Sequence, residues 1–129
     1  MNYKHKGLFW FSLFLIDFGI IFSILGLFPS SIEFITLLSP TEFSSLGNTD
    51  LMYIKFLFGI SGGLTISLGV SFLFISKYYI PEAKKYVQFA LLTWFIIDTS
   101  ISVISTFYYN VISNTIFLLL GLFAITKEK

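Results

Sequence analysis

The chain has 129 residues, of which 56% are hydrophobic and only 12% are charged, and its formal net charge is +1. Because soluble domains carry about 25% charged residues, this composition excludes an ordinary soluble domain and indicates a polytopic membrane protein. The chain has no cysteine, which excludes disulfides, thiolate catalysis and iron–sulfur centres, and its near-neutral charge argues against a nucleic-acid partner.

The single histidine, His5, lies in the polar N-terminal tail. One histidine without any cysteine does not provide the ligands of a zinc cluster or of a bis-histidine haem within one chain. We therefore expect neither a metal nor a cofactor.

Four apolar segments, taken in chain order, predict an all-α fold. They place transmembrane helices at about residues 8–28, 52–76, 82–108 and 111–126. Crossing a hydrocarbon core about 30 Å thick takes about 20 apolar residues, so the first three segments are long enough and the fourth is short. The predicted architecture is a polytopic membrane protein with a single domain over residues 1–129, an up-down four-helix transmembrane bundle.

The loop between the first two helices, residues 29–51, is long and partly apolar. Ser30 with Glu33, and Ser39 with Glu42, have the spacing of capping boxes, which open helices. We expect two short amphipathic helices that lie on the outer membrane surface and cap the bundle. A plain amphipathic connector is the alternative.

Two acids lie near the centres of apolar runs. Asp17 comes nine residues after Leu8 and Asp98 eleven after Val87, so both lie roughly 13–16 Å into the membrane from the same side. Two carboxyls at one level in a low dielectric cannot both ionise cheaply, so the pair could carry a proton, share a cation or bind a polar ligand. In the alternative interpretation each acid is protonated and hydrogen-bonds a neighbouring helix.

Side chains on the same helix faces extend this candidate site. On the third helix, Ser102 and Ser105 follow Asp98 at helical spacing and Trp94 precedes it by one turn. On the first helix, Trp10 lies seven residues before Asp17. The candidate set for proton, cation or ligand binding is Asp17, Asp98, Trp94, Ser102, Ser105 and Trp10.

The second helix has the pattern of a packing surface. Small residues recur there every four positions, at Gly59, Gly63, Ser67 and Ser71. Small residues at this spacing let two helix backbones approach closely, so we expect a packing role, with homo-oligomer contact as the alternative. On the first helix a second small face lies roughly 140° from Asp17; it comprises Ser12, Gly19, Ser23 and Gly26.

Almost nothing separates the third helix from the fourth. Tyr109 and Asn110 form the predicted turn, because asparagine tolerates the left-handed conformation that a tight turn needs. A tight antiparallel hairpin should result. Asn110 and Asn114 lie one turn apart at the outer end of the fourth helix, where we expect a capping role rather than ligand binding.

The distribution of lysine predicts the orientation. Seven lysines fall in the N-terminus, the second loop and the C-terminus, whereas only Lys55 lies at the edge of the first loop. By the positive-inside rule both termini are cytoplasmic. We expect a bacterial or archaeal plasma membrane.

Three classes of function remain open. In the first, the chain is a proton- or cation-linked transporter or an ion-conducting oligomer built around the two acids. In the second, it is a non-catalytic membrane subunit or a structural protein in which both acids are protonated packing residues. An intramembrane enzyme is the weakest class, because no nucleophile–base pair or cofactor motif is present. The expected partners are the lipid bilayer and either further copies of the chain or another membrane protein.

Overall fold

The computed structural model describes residues 3–27, 47–104 and 108–126, and these residues form four α-helices. The helices are α1, Lys6–Leu27; α2, Asn48–Lys77; α3, Ala83–Ile104; and α4, Tyr108–Thr126. The all-α prediction is confirmed, and α1, α2 and α3 are each long and apolar enough to cross a membrane. Most of the predicted capping loop lies outside the described residues.

Two helices begin three or more residues earlier than predicted. α2 begins at Asn48, four residues early, because the Asp50 carboxylate accepts a hydrogen bond of 3.0 Å from the Gly47 N–H. An acid in the first turn that reaches back in this way stabilises a helix start. α4 begins at Tyr108, so the predicted turn at Tyr109 and Asn110 is wrong, and both residues are helical.

The helices form two compact units. One unit comprises Phe14–Val70, and the other comprises Met1–Leu13 together with Ser71–Lys129. The prediction of a single transmembrane domain stays a prediction.

In the Phe14–Val70 unit, α1 and α2 pack through glycines. A Cβ placed on Gly26 would lie 2.5 Å from the backbone nitrogen of Gly59, and one placed on Gly62 would lie 2.5 Å from the backbone nitrogen of Ser23. No side chain fits between backbones this close, which explains why small residues are needed. The Phe22 and Phe58 rings, 5.0 Å apart, pack beside the glycines. Of the predicted small face of α1, Gly19, Ser23 and Gly26 therefore form a helix contact.

In the other unit, the start of α1 and the end of α2 pack with α3 and α4. α3 and α4 form an antiparallel pair, since Leu91 contacts Gly121 while Trp94, further along α3, contacts Phe117, which comes earlier in α4. The buried apolar side chains of this unit are Leu8, Phe11, Phe72, Val87, Leu91, Phe117, Ala124 and Ile125.

His5 joins three of these helix ends, although the sequence places it in a polar tail. It is 3% exposed, and its Nδ1 accepts a hydrogen bond of 3.1 Å from the Leu8 N–H, so it is the N-cap of α1. Its backbone N–H donates to the Ser76 carbonyl at 3.1 Å, and its Nε2 donates to the Ile125 carbonyl at 3.3 Å. These carbonyls belong to the last turns of α2 and α4, where no intrahelical donor is available.

Candidate functional site: the polar cluster at Asp98

Asp98 is the centre of a polar cluster between α3 and α4. Its Oδ2 accepts a hydrogen bond of 2.9 Å from Asn110 Nδ2 and a second, shorter one from Asn114 Nδ2. Asn110 and Asn114 lie four residues apart on α4, so both amides point to the same face of that helix. The two asparagines thus bind the acid of α3, and the prediction that they cap α4 missed this role.

Two hydroxyls extend the cluster along α3. Asn110 Nδ2 also lies 2.8 Å from Ser102 Oγ, and Ser102 Oγ donates to the Asp98 backbone carbonyl at 2.7 Å. Asn114 Nδ2 lies 3.3 Å from Thr99 Oγ1. Ser102 was predicted to belong to the site, and the structure brings it to Asp98; Thr99 was not predicted.

The cluster leaves one carboxyl oxygen available. Both amides bind Oδ2, and among the described residues no donor reaches Oδ1 of Asp98, which is half-buried. Asn114, by contrast, is 2% exposed. Oδ1 can therefore carry a proton or bind a cation, while the two amides hold the carboxyl in place.

Three other residues of the predicted candidate set, Trp94, Ser105 and Trp10, make none of these hydrogen bonds to Asp98 among the described contacts. Trp94 is half-buried one turn before Asp98, and its ring lies 6.2 Å from that of Phe117 on α4, so it forms an apolar neighbour of the cluster. Ser105 lies outside the described residues. Trp10 is 67% exposed, near the start of α1.

Asp17 has a different environment from Asp98. It lies at the middle of α1 and is exposed, and no donor among the described residues reaches its carboxyl. Asp17 belongs to the Phe14–Val70 unit and Asp98 to the other, so the predicted pairing of the two acids stays a prediction.

The predicted packing stripe of α2 is divided between two faces. Gly59 contacts α1, but a Cβ on Gly63 would meet nothing within 4 Å, and the contact is made by Gly62 instead. Ser67 and Ser71 are exposed. The cause is geometric. Residues four positions apart are displaced by about 40° around the helix axis, so residues that repeat strictly every four positions move progressively away from the face that contacts α1. Contact of the exposed part with another copy stays a prediction.

No group of three or more His, Cys, Asp or Glu side chains that could hold a metal ion occurs within the described part of the chain. Comparisons of the chain with protein-family models, with curated proteins and with solved structures found no match.

Proposed function

We propose that the chain is a non-enzymatic integral membrane protein that acts as a membrane subunit, with its acids serving helix association. Its surface supports membrane insertion. Only 28% of the apolar span of α1, and 17% of those of α2 and α3, is buried, so most of the apolar area faces outwards. A soluble monomer rarely exposes apolar patches of more than a few hundred Å².

The hydrogen bonding of Asp98 is the observation that carries the proposal. Two amides of α4 bind one oxygen of an acid on α3, which is how polar side chains hold transmembrane helices together, at about 1 kcal/mol for each bond. An acid engaged in this way acts as a packing residue. It needs no substrate to account for its presence in an apolar helix.

Proton- or cation-linked transport is a second candidate, favoured by a different observation. Oδ1 of Asp98 has no donor among the described residues and the side chain is only half-buried. A proton or a small cation could therefore reach this oxygen, and intramembrane acids commonly mark such pathways. This function would need an oligomer, because one bundle of four helices encloses little space.

The same proposal includes the arrangement and orientation of the four helices in the membrane. The four helices would form an up-down transmembrane bundle with residues 29–51 as an outer capping loop, in a bacterial or archaeal plasma membrane. Lys77, Lys84 and Lys85 flank the connection between α2 and α3, which supports a cytoplasmic side for that connection and for both termini.

Flux through liposomes distinguishes the two candidates. Purified protein is reconstituted into vesicles that contain a pH-sensitive dye, and a K⁺ gradient with valinomycin supplies the driving potential. A subunit without transport activity should give the proton leak of empty vesicles, and the same measurement with a Na⁺-sensitive dye should show no cation flux. Flux that Asp98→Asn abolishes, while helicity is retained, would overturn the subunit proposal in favour of transport.

A further inference from the structure

Lysine is concentrated at one end of the unit that comprises Met1–Leu13 and Ser71–Lys129. His5 joins the start of α1 to the last turns of α2 and α4, and the antiparallel pairing of α3 with α4 brings the start of α3 to the same end. Every lysine among the described residues of this unit lies in a terminal turn at one of these helix ends or next to it. These lysines, which we call the basic end, are Lys4, Lys6, Lys77, Lys84 and Lys85.

The basic end has a large excess of positive charge. The described residues of this unit include two acids, Glu82 and Asp98. Glu82 lies beside the start of α3, but Asp98 lies fifteen residues into that helix, or about 22 Å from its start. Residues 127–129, which follow α4 in the chain, add two further lysines and one glutamate. The charge of this end is therefore not balanced within the chain.

Helix stability does not account for most of these lysines. Lys77 lies in the last turn of α2, where the helix dipole favours a cation. Lys84 and Lys85 lie in the first turn of α3, and Lys6 is the first residue of α1, where the dipole disfavours a cation. Neither of these two first turns contains an acid that would offset the effect. An anion outside the protein would offset it.

Exposed aromatic rings surround the basic end. Trp10 is 67% exposed and lies four residues after Lys6, so the two side chains share one side of α1. Tyr78 and Tyr86 are 53% and 75% exposed, and each directly follows a lysine of the basic end. Trp and Tyr rings favour the headgroup level of a membrane. In a bilayer, the lysines beside them would therefore lie at the depth of the lipid phosphates.

We propose that the basic end binds the headgroups of anionic phospholipids and enriches these lipids around this end of the protein. The ammonium group of lysine donates hydrogen bonds to phosphate oxygens, and clusters of lysine beside a membrane helix attract anionic lipid. A zwitterionic headgroup attracts the cluster less, because its own cation balances the phosphate. The inference rests on the proposed function, since the phosphates lie beside these lysines only when the helices cross a bilayer.

Quenching of Trp10 fluorescence by brominated lipids tests the proposal. The chain has two tryptophans, so Trp94→Phe leaves Trp10 as the only reporter. The protein is reconstituted into vesicles of phosphatidylcholine and phosphatidylglycerol, with bromine on the acyl chains of one lipid or the other. At low salt, quenching should show phosphatidylglycerol enriched several-fold over its share of the vesicle. The enrichment should fall in about 1 M NaCl, where the Debye length is about 3 Å.

Quenching in proportion to the share of each lipid would overturn the proposal and leave an acidic segment of another protein as the partner of the lysines. The native chain, with both tryptophans, should show the same dependence on salt, so the test does not depend on the folding of Trp94→Phe.

The start of α2 provides a matched control. Tyr53 is 61% exposed, close to the value for Trp10, so Tyr53→Trp in a chain with Trp10→Phe and Trp94→Phe is a reporter of similar access. The charges next to it are of both signs, Asp50 and Lys55. No enrichment of phosphatidylglycerol should be found there. Enrichment equal to that at Trp10 would contradict a specific role of the basic end.

Substitution of single lysines gives a second readout. Lys6→Gln should lower the enrichment at Trp10 about two- to fivefold, because it removes the nearest charge on the same side of α1. Lys6→Arg keeps the charge and should retain the enrichment. Lys55→Gln removes the same charge 22 residues before the end of α2 and should have no effect at Trp10. Equal losses for Lys6→Gln and Lys55→Gln would overturn the proposal.

The outcome can be separated from that of the proposed function. Quenching by brominated phosphatidylcholine alone checks that Trp10 lies in the bilayer, so failure of insertion differs from failure of lipid selection. Enrichment at Trp10 together with proton or cation flux would retain the lipid contact and reject the subunit proposal. Proportional quenching of an inserted protein without flux would retain the subunit proposal and reject the lipid contact.

Discussion

Gly19 of α1 and Gly62 of α2 face each other so closely that neither position has space for a side chain. A Cβ on Gly19 would lie 2.7 Å from the Gly62 carbonyl oxygen, and a Cβ on Gly62 would lie 2.6 Å from the Gly19 carbonyl oxygen. The contact is therefore made by backbone on both sides. Its stabilisation comes from dispersion between closely packed atoms, which would be the main force available to these helices in a bilayer.

Two adjacent glycines of α2 provide a matched test of this contact. Gly62→Ala should destabilise the protein by about 1–3 kcal/mol, because the added methyl group overlaps the α1 backbone. Gly63→Ala should be neutral or stabilising, since that position is open and alanine favours a helix by about 1 kcal/mol over glycine. The free energy of unfolding, measured by denaturant titration in mixed micelles, checks both. Equal losses for the two variants would show that the helix interface is not the one described.

His5 should contribute to stability far more than a tail residue would. His5→Ala removes the N-cap of α1 and the bond to the Ile125 carbonyl, so we expect a loss of about 1–3 kcal/mol in the free energy of unfolding. His5→Asn should recover part of this loss, because its side-chain oxygen can still accept the Leu8 N–H. An alanine variant as stable as the native chain would contradict the capping role.

The bond between Asp98 and Asn114 can be measured by a double-mutant cycle. Asp98→Ala combined with Asn114→Ala should reveal a coupling energy of about 1 kcal/mol. Thr115 provides the control, since it is exposed and donates to the Val111 carbonyl of its own helix at 2.8 Å. Asp98→Ala with Thr115→Ala should show no coupling. Coupling of the same size in both cycles would mean that the effect is not specific to the hydrogen bond.

The proposed orientation can be tested by labelling single cysteines in intact cells with an impermeant thiol reagent. Thr49→Cys, at the start of α2, should be labelled from outside, whereas Ala83→Cys, at the start of α3, should be labelled only after the cells are opened. Both positions lie in the first turn of their helix, Thr49 exposed and Ala83 half-buried, so the labelling of each variant in intact cells is compared with its own labelling in opened cells. The reverse pattern would place the lysine-rich connection outside and overturn the topology.

Much of the secondary structure could be predicted from sequence, but the candidate site could be predicted only in part. Asp98 and Ser102 stand out because polar residues are rare in apolar helices, and the structure joins them through Asn110. For Asn110 and Asn114, the position near a helix end predicts capping, and their bonds to Asp98 show a different role. The signal in the sequence is the face that these two asparagines share, because the antiparallel pairing of α3 and α4 brings that face opposite Asp98.

The sequence by itself determined the all-α class, the approximate helix bounds and the presence of small faces, because these depend on local hydrogen bonding and on runs of apolar residues along the chain. Tertiary structure alone decided that Gly62 rather than Gly63 meets α1, and that His5 is buried. Both outcomes depend on how far each helix is rotated about its axis and on which chain end lies against it. Packing between residues distant in sequence sets that rotation, so it cannot be predicted from a local sequence pattern.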